Sequence, residues 1–199
     1  MHARVGTCLA CVNHDVVIDT QTWMGCNLNV TAYRNGDVIP QVTDATAWSA
    51  LSTGAWCHYN NDPANDAIYG KLYNWYAIND IRGLAPIGYH VPTDAEWTIL
   101  VDYLGGESLA GGKMKETGLC HWLSPNSDAT DDFGFAGLPG GYRNIIGAFV
   151  NIGNNGYWWS SVDSSTTLAW YRYLYFNNSY ISSFSYYKTQ GLSVRLIKD

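Results

Sequence analysis

Near the C-terminus, Trp170-Tyr171-Arg172-Tyr173-Leu174-Tyr175-Phe176 alternates with the period of a β-strand. Trp170, Leu174 and Phe176 fall on one face and Tyr171, Tyr173 and Tyr175 on the other, so a fold that accepts this run needs a sheet with core on one side and a row of tyrosines on the other. Tyrosine has high β-propensity, and three alternating tyrosines alone describe a good strand. The run then continues through Asn177, Asn178, Ser179, Tyr180, Ser182, Ser183, Phe184, Ser185, Tyr186 and Tyr187, which is too polar for a core strand. From Tyr171 to Tyr187, twelve of seventeen residues are Tyr, Ser or Asn and none is acidic. Tyr gives a large, stiff amphipathic surface and Ser and Asn give adaptable hydrogen bonds, a mixture typical of a paratope.

The rest of the composition fits a single domain built to hold such a stretch. A hydrophobic fraction of 47% over 199 residues is ample for one core. With 14% charged residues, 15% aromatic residues and 20 glycines, the chain suits a turn-rich and loop-rich fold better than a helical bundle. A net charge of −6 without clustered Lys and Arg argues against nucleic acid as a partner. No segment approaches the length of a membrane span. The opening residues MHARVGTCLACVNHD contain no apolar h-region, so they do not read as a signal peptide. That tilts the expectation toward a phage structural protein released on lysis.

Residues 1–14 are expected to be a tail or linker before a domain over 15–199. His14 to Tyr33 reads as a strand, a turn and a second strand. Ala45 to Leu51 has the spacing of a short helix, and Tyr69 to Ala77 is an aromatic core segment. Thr93 with Glu96 forms a capping box ahead of a helix to Leu104, with Trp97, Leu100, Val101 and Leu104 on one face and Gly105-Gly106 as its stop. Ser108 to Glu116 is a shorter helical segment weakened by two glycines. From Gly118 on, turns and short strands are expected, including a hairpin over Gly147 to Ser161.

Five blocks carry a resemblance: Tyr69-Gly70-Lys71-Leu72-Tyr73-Asn74-Trp75-Tyr76-Ala77, then GLAPIGYHVPTDAEW (Gly83 to Trp97), GFAGLPGGYR (Gly134 to Arg143), YWWSS (Tyr157 to Ser161) and GLSVR (Gly191 to Arg195). In this order they resemble the Fibrobacter succinogenes major paralogous domain family over residues 15–199. The resemblance implies an α+β, C-type-lectin-like fold of the formylglycine-generating-enzyme subtype, with two helices around a small antiparallel sheet and long ordered loops. The stretch 157–199 is also similar to the variable region of proteins diversified by retroelements, in which adenines of chosen codons are randomised. That similarity implies ligand-binding positions at Val162, Asp163, Thr166, Thr167, Tyr171, Tyr173, Tyr175, Asn177, Tyr180, Ser182, Ser183, Phe184, Ser185, Tyr186, Tyr187 and Thr189. It implies a fixed frame at Ala169-Trp170, Arg172, Leu174, Lys188, Gly191 and Val194-Arg195. Leu196 departs from the family, whose members often carry a cysteine there.

The frame must stay rigid whatever is displayed. Trp23, Trp56, Trp75, Trp97, Trp122, Trp158, Trp159 and Trp170 suit a core that does not depend on the displayed face.

Catalytic chemistry has weaker support. The related formylglycine-generating enzymes use copper held by paired cysteines; Cys57 and Cys120 are the candidates here, though their spacing does not pair them. With Cys8, Cys11 and Cys26 the cysteine count is odd. The lone CxxC of Cys8 and Cys11 is poor evidence for zinc. His58, His90 and His121 read as structural histidines, and Ser160-Ser161 lacks a nucleophile elbow. Calcium could gather at Asn60–Asp66 or Asp128–Asp132, although Asn and Asp are also ordinary turn residues.

The expected function is therefore non-catalytic recognition of a protein or glycan receptor on a cell surface. The protein would be extracellular, on a phage virion tail or a bacterial cell surface, with no cofactor beyond an optional structural calcium, and a homotrimer would suit a tail fibre. The alternatives are a lectin-like domain with one fixed carbohydrate ligand and a copper-dependent oxidase.

Overall fold

The computed structural model describes residue 11 and residues 14–199. Most of the expected tail over 1–14 lies outside the described residues. Cys11, however, is tied to the domain by a disulfide to Cys26, and its amide donates to Ala67 O at 3.1 Å.

The first strands, β1 (Asp15–Ile18) and β2 (Gln21–Met24), form the expected hairpin, with Val16, Ile18 and Trp23 buried. Asp44 caps the short helix α1 (Ala45–Ser49), accepting from Ala47 N at 2.8 Å. Strand β3 (Trp56–Cys57) pairs with β4 (Leu72–Tyr73), and one-turn helices including α2 (Asp66–Tyr69) lie between them. Helix α3 (Trp75–Ile78) follows, then β5 (Tyr89–His90).

Helix α4 (Asp94–Tyr103) carries the predicted capping box: Thr93 Oγ1 accepts from Glu96 N at 3.2 Å and Glu96 Oε2 accepts from Thr93 N at 2.7 Å. Its apolar stripe is buried, and Gly105 and Gly106 end it at φ +104 and +87, where an L side chain would be strained. Helix α5 (Glu107–Met114) forms despite Gly111 and Gly112. Those glycines let other main chain approach: a Cβ at Gly111 would meet Tyr180 O at 2.3 Å, and one at Gly112 would meet Asp128 O at 2.5 Å. Tertiary approach outweighs helix propensity here.

The remaining strands are β6 (Gly140–Arg143), β7 (Phe149–Ile152), β8 (Asn155–Asp163), β9 (Leu168–Tyr175), β10 (Ile181–Tyr187) and β11 (Ile197–Lys198). The architecture is α+β, and its named strand ladders are antiparallel. In place of one small sheet there is a four-stranded sheet ordered β1-β2-β11-β5, a three-stranded sheet ordered β10-β9-β8, and the ribbons β3-β4 and β6-β7. The expected hairpin over residues 147–161 does not form as such: β7 pairs back onto β6 and β8 pairs forward onto β9. The two expected helices are α4 and α5, joined by the short α1, α2 and α3.

Residues 190–197 are buried without a break and cross-link the molecule. Leu192 exchanges backbone hydrogen bonds with Tyr73, Gly191 with Arg143, Ser193 O accepts from Trp159 N, and Leu196 O accepts from Met24 N. One apolar cluster joins Trp97, Leu100 and Leu104 of α4 to Trp23, Phe135, Trp158, Leu174 and Ile181. A second packs Tyr73, Trp75, Trp159, Ala169, Leu192, Val194 and Leu196, with Tyr157 and Tyr171 at its edge. Trp158 and Trp159 are successive residues of β8 with side chains on opposite faces, so the three-stranded sheet has core against both.

Candidate functional site

The sheet β10-β9-β8 carries most of the sixteen candidate positions. Register places Tyr157 opposite Tyr173 and Trp159 opposite Tyr171 on one side of β9, and Ser182 opposite Tyr173 and Phe184 opposite Tyr171 on the other. These residues share the outer face, with Tyr175 and Tyr186 at its ends. Ring contacts link them: Tyr157 with Tyr173 at 5.8 Å, Tyr171 with Tyr173 at 5.8 Å, Tyr173 with Tyr175 at 4.9 Å and Tyr173 with Phe184 at 5.9 Å.

The row is not a free display. Tyr171, Tyr173 and Tyr175 are half-buried, and Tyr171 packs on the second core cluster. Trp170, expected in the core, is only half-buried because it sits near the end of the sheet opposite Ser185.

The structure does not bring all sixteen positions onto one face. Ser183 and Ser185 lie opposite Arg172 and Trp170, on the reverse of the tyrosines. Val162, Asp163, Thr166 and Thr167 lie at the β8–β9 turn, whereas Asn177 and Tyr180 lie at the β9–β10 turn, at the other end of the antiparallel meander. Thr167, Tyr187 and Thr189 meet in a recess of about 340 Å³ beside Lys188. None of the sixteen is buried; of the frame, Ala169, Arg172, Leu174, Lys188, Gly191, Val194 and Arg195 are.

The frame's cations are held from beneath or beside the face. Arg172 Nη2 donates to Asp94 Oδ1 at 2.8 Å, and Lys188 Nζ lies 3.0 Å from Asp163 Oδ2 and 4.3 Å from the centre of the Trp75 ring. Arg195 is fully buried, donating to the carbonyls of Met24 and Phe135 at 2.9 Å each. The outer face itself is uncharged. Burial pushes the Tyr171 phenol up to about 12 and the Tyr142 and Tyr157 phenols above their ordinary values, so all three stay neutral at physiological pH.

Sequence reasoning missed the residues beneath this face. Tyr142 stacks edge-on to Tyr157 at 4.8 Å, and with Tyr171, Tyr186, Gln190 and Leu192 these two line a recess of about 210 Å³. Tyr142 and Tyr157 sit in the quoted GFAGLPGGYR and YWWSS blocks, a signal of kinship that says nothing about position. Gln190 has no local signal at all.

The other candidate chemistries are spoken for by structure. Cys57 is a buried free thiol, pushed up to about 12 by its burial, while Cys120 is disulfide-bonded, so the two do not form a copper-binding pair. Cys11 is bonded to Cys26, which takes it out of a CxxC site; Cys8 lies outside the described residues. In the 60–66 loop, Asp66 binds His58 and Lys71, and Asp62 caps a helical turn through Ala64 N. In the other loop Asp131 accepts from Ala136 N at 2.8 Å. Among the described residues no three His, Cys, Asp or Glu side chains gather as a metal site. His90 bridges Glu96 and Asp199 at 2.8 Å each, and His121 pairs with Glu116 at 2.9 Å. Among those residues no helix is long and apolar enough to cross a membrane.

No curated protein and no solved structure matches this chain. The family model for the Fibrobacter succinogenes major domain spans residues 16–198, from β1 to the last strand and across the whole tyrosine face. The chain belongs to the Fibrobacter succinogenes major domain family.

Proposed function

We propose that this protein is a non-catalytic recognition module with a C-type-lectin-like architecture. It binds a protein or glycan on another cell through the outer face of β8, β9 and β10 and the adjoining turns, as a phage tail-fibre tip or a bacterial surface adhesin. The observation that carries this reading is the division of residues 162–189. Every candidate position reaches solvent at least in part, while Ala169, Arg172, Leu174 and Lys188 between them are buried. Substitution at the exposed positions among them, such as Val162, Asn177, Tyr180 and Tyr186, costs within about 0.5 kcal/mol, so these positions tolerate change that the frame does not. Diversification by a retroelement would exploit that division.

Sequencing the 3′ end of this gene across its population tests the idea. Substitutions concentrated at adenine-containing codons between Val162 and Thr189, with Trp170, Leu174 and Gly191 unchanged, are expected. A uniform 3′ end removes diversification. Binding of the purified domain to cells tests the face directly: a triple Tyr173→Ser, Phe184→Ser, Tyr186→Ser variant loses binding, and retention of binding moves the site elsewhere.

A further inference from the structure

Gln190 is only 6% exposed, yet its carboxamide makes no hydrogen bond within the described residues; only its backbone amide is used, donating to Tyr187 O at 3.0 Å. The carboxamide atoms keep contact with solvent at the recess, so a ligand that covers them must replace the hydrogen bonds of water or leave an amide unpaired at a cost. This carboxamide lines the recess of about 210 Å³ walled by Tyr142, Tyr157, Tyr171 and Tyr186 over Leu192. Among the described residues the hydroxyls of Tyr142, Tyr171 and Tyr186 also have no hydrogen-bond partner, whereas the Tyr157 hydroxyl accepts from Asn151 Nδ2 at 2.9 Å. The recess therefore offers apolar ring surface together with several unused donors and acceptors.

Resting on the recognition reading above, we infer that this recess binds one uncharged sugar ring of a cell-surface glycan, without calcium. A pyranose supplies both halves of the match. Its C–H face stacks on tyrosine rings, and each hydroxyl both donates and accepts, which the carboxamide requires. The volume is below the roughly 300–1,000 Å³ of sites for drug-sized ligands and suits a single ring. An anionic ligand finds no Lys or Arg in the lining. A quaternary ammonium suits aromatic walls but has no hydrogen-bonding group to satisfy Gln190. Tyr142, Tyr157, Gln190 and Leu192 lie outside the sixteen candidate positions, while Tyr171 and Tyr186 lie within them. The floor is thus constant and two walls are replaceable, so variation tunes which sugar fits.

The test is saturation-transfer NMR on the full chain in EDTA with methyl glycosides of glucose, galactose, mannose, fucose and N-acetylglucosamine. At least one glycoside is expected to bind with Kd near about 1 mM, receiving saturation from tyrosine ring protons. Gln190→Met, with folding checked by near-UV circular dichroism, weakens it about tenfold, the loss of one buried hydrogen bond. Tyr186→Ser, at an exposed wall position, weakens it as well and serves if Gln190→Met does not fold.

Glycoside binding unaffected by these substitutions overturns the assignment to this recess, and binding that requires calcium overturns the chemistry. Cell binding that is lost in the triple face variant, with no glycoside bound, overturns the sugar ligand and leaves a protein receptor. Binding to neither cells nor glycosides overturns the recognition reading as well.

Discussion

The Lys115 ammonium donates to the carbonyl oxygen of Tyr175 at 3.0 Å, and its other donors reach Ser127 O at 2.7 Å and Asn178 O at 2.8 Å. Helix α5 and its flanks thereby hold the β9–β10 turn by its main chain. Gly112 N donates to Ser179 O at 3.1 Å and Ser127 N to Phe176 O at 2.9 Å. Anchoring through backbone atoms leaves the side chains at 175, 177 and 180 free to differ without moving the turn.

Replacing Lys115 with Met keeps most of the apolar stem and strands three buried carbonyls. A loss of about 3 kcal/mol is expected, since an unsatisfied buried polar group costs roughly 1–3 kcal/mol and water can reach part of the gap. Urea unfolding measures it, and hydrogen exchange at residues 176–180 should quicken more than in β8. An unchanged exchange rate there would mean that the lysine does not anchor the turn.

Gly111→Ala reverses the usual helix rule. In an exposed helix the change gains nearly 1 kcal/mol. Here the new methyl would lie 2.3 Å from Tyr180 O, a backbone atom that cannot swing aside. A net loss of about 2 kcal/mol, the cost of overpacking, is expected as a lowered Tm.

Face and frame should differ sharply in tolerance. Tyr186→Ser and Asn177→Ser are expected to change stability by less than about 1 kcal/mol. Leu174→Ala, on a side chain with no exposure in the first core cluster, is expected to cost about 2–5 kcal/mol. Denaturant midpoints of the three variants check this, and equal sensitivity would remove the basis for a replaceable face.

His90 sets a pH dependence. Burial alone would lower its pKa, but the hydrogen bonds to Glu96 and Asp199 outweigh burial and raise it above the ordinary value of about 6.5. Because the folded value is the higher one, the stability from this bridge is fully present below about pH 6.5 and is lost as pH rises through the folded pKa. His90→Gln should flatten the stability profile across that upper window. A profile identical to the parent would show that the bridge is not coupled to folding.

Some of this was open to reading along the chain. The capping box at Thr93 and Glu96, the apolar stripe of α4, the glycine stop and the alternation in β9 are local patterns tied to local backbone geometry. Leu174 is legible from that alternation, whereas Arg172 and Lys188 are legible only through the resemblance to diversified variable regions. The recess was not: Tyr142, Tyr157 and Gln190 come from three separated segments, and no periodicity announces a meeting between them.

The sequence by itself determined which residues of β9 share a face, because period-2 alternation acts within one strand. It did not determine how deep each lies: Trp170 and Phe176, read as core, are half-buried, as are the tyrosines of the other face. Tertiary structure alone decided that Trp158 and Trp159 face two different cores, that β7 pairs backward, that the two turns lie at opposite ends of the sheet, and that Gln190 meets Tyr142 and Tyr157 in one recess. Those outcomes depend on packing between segments far apart in the chain, with Trp158 Nε1 donating to Asn27 Oδ1 at 2.8 Å across 131 residues. Local patterns carry no information about such distant pairings.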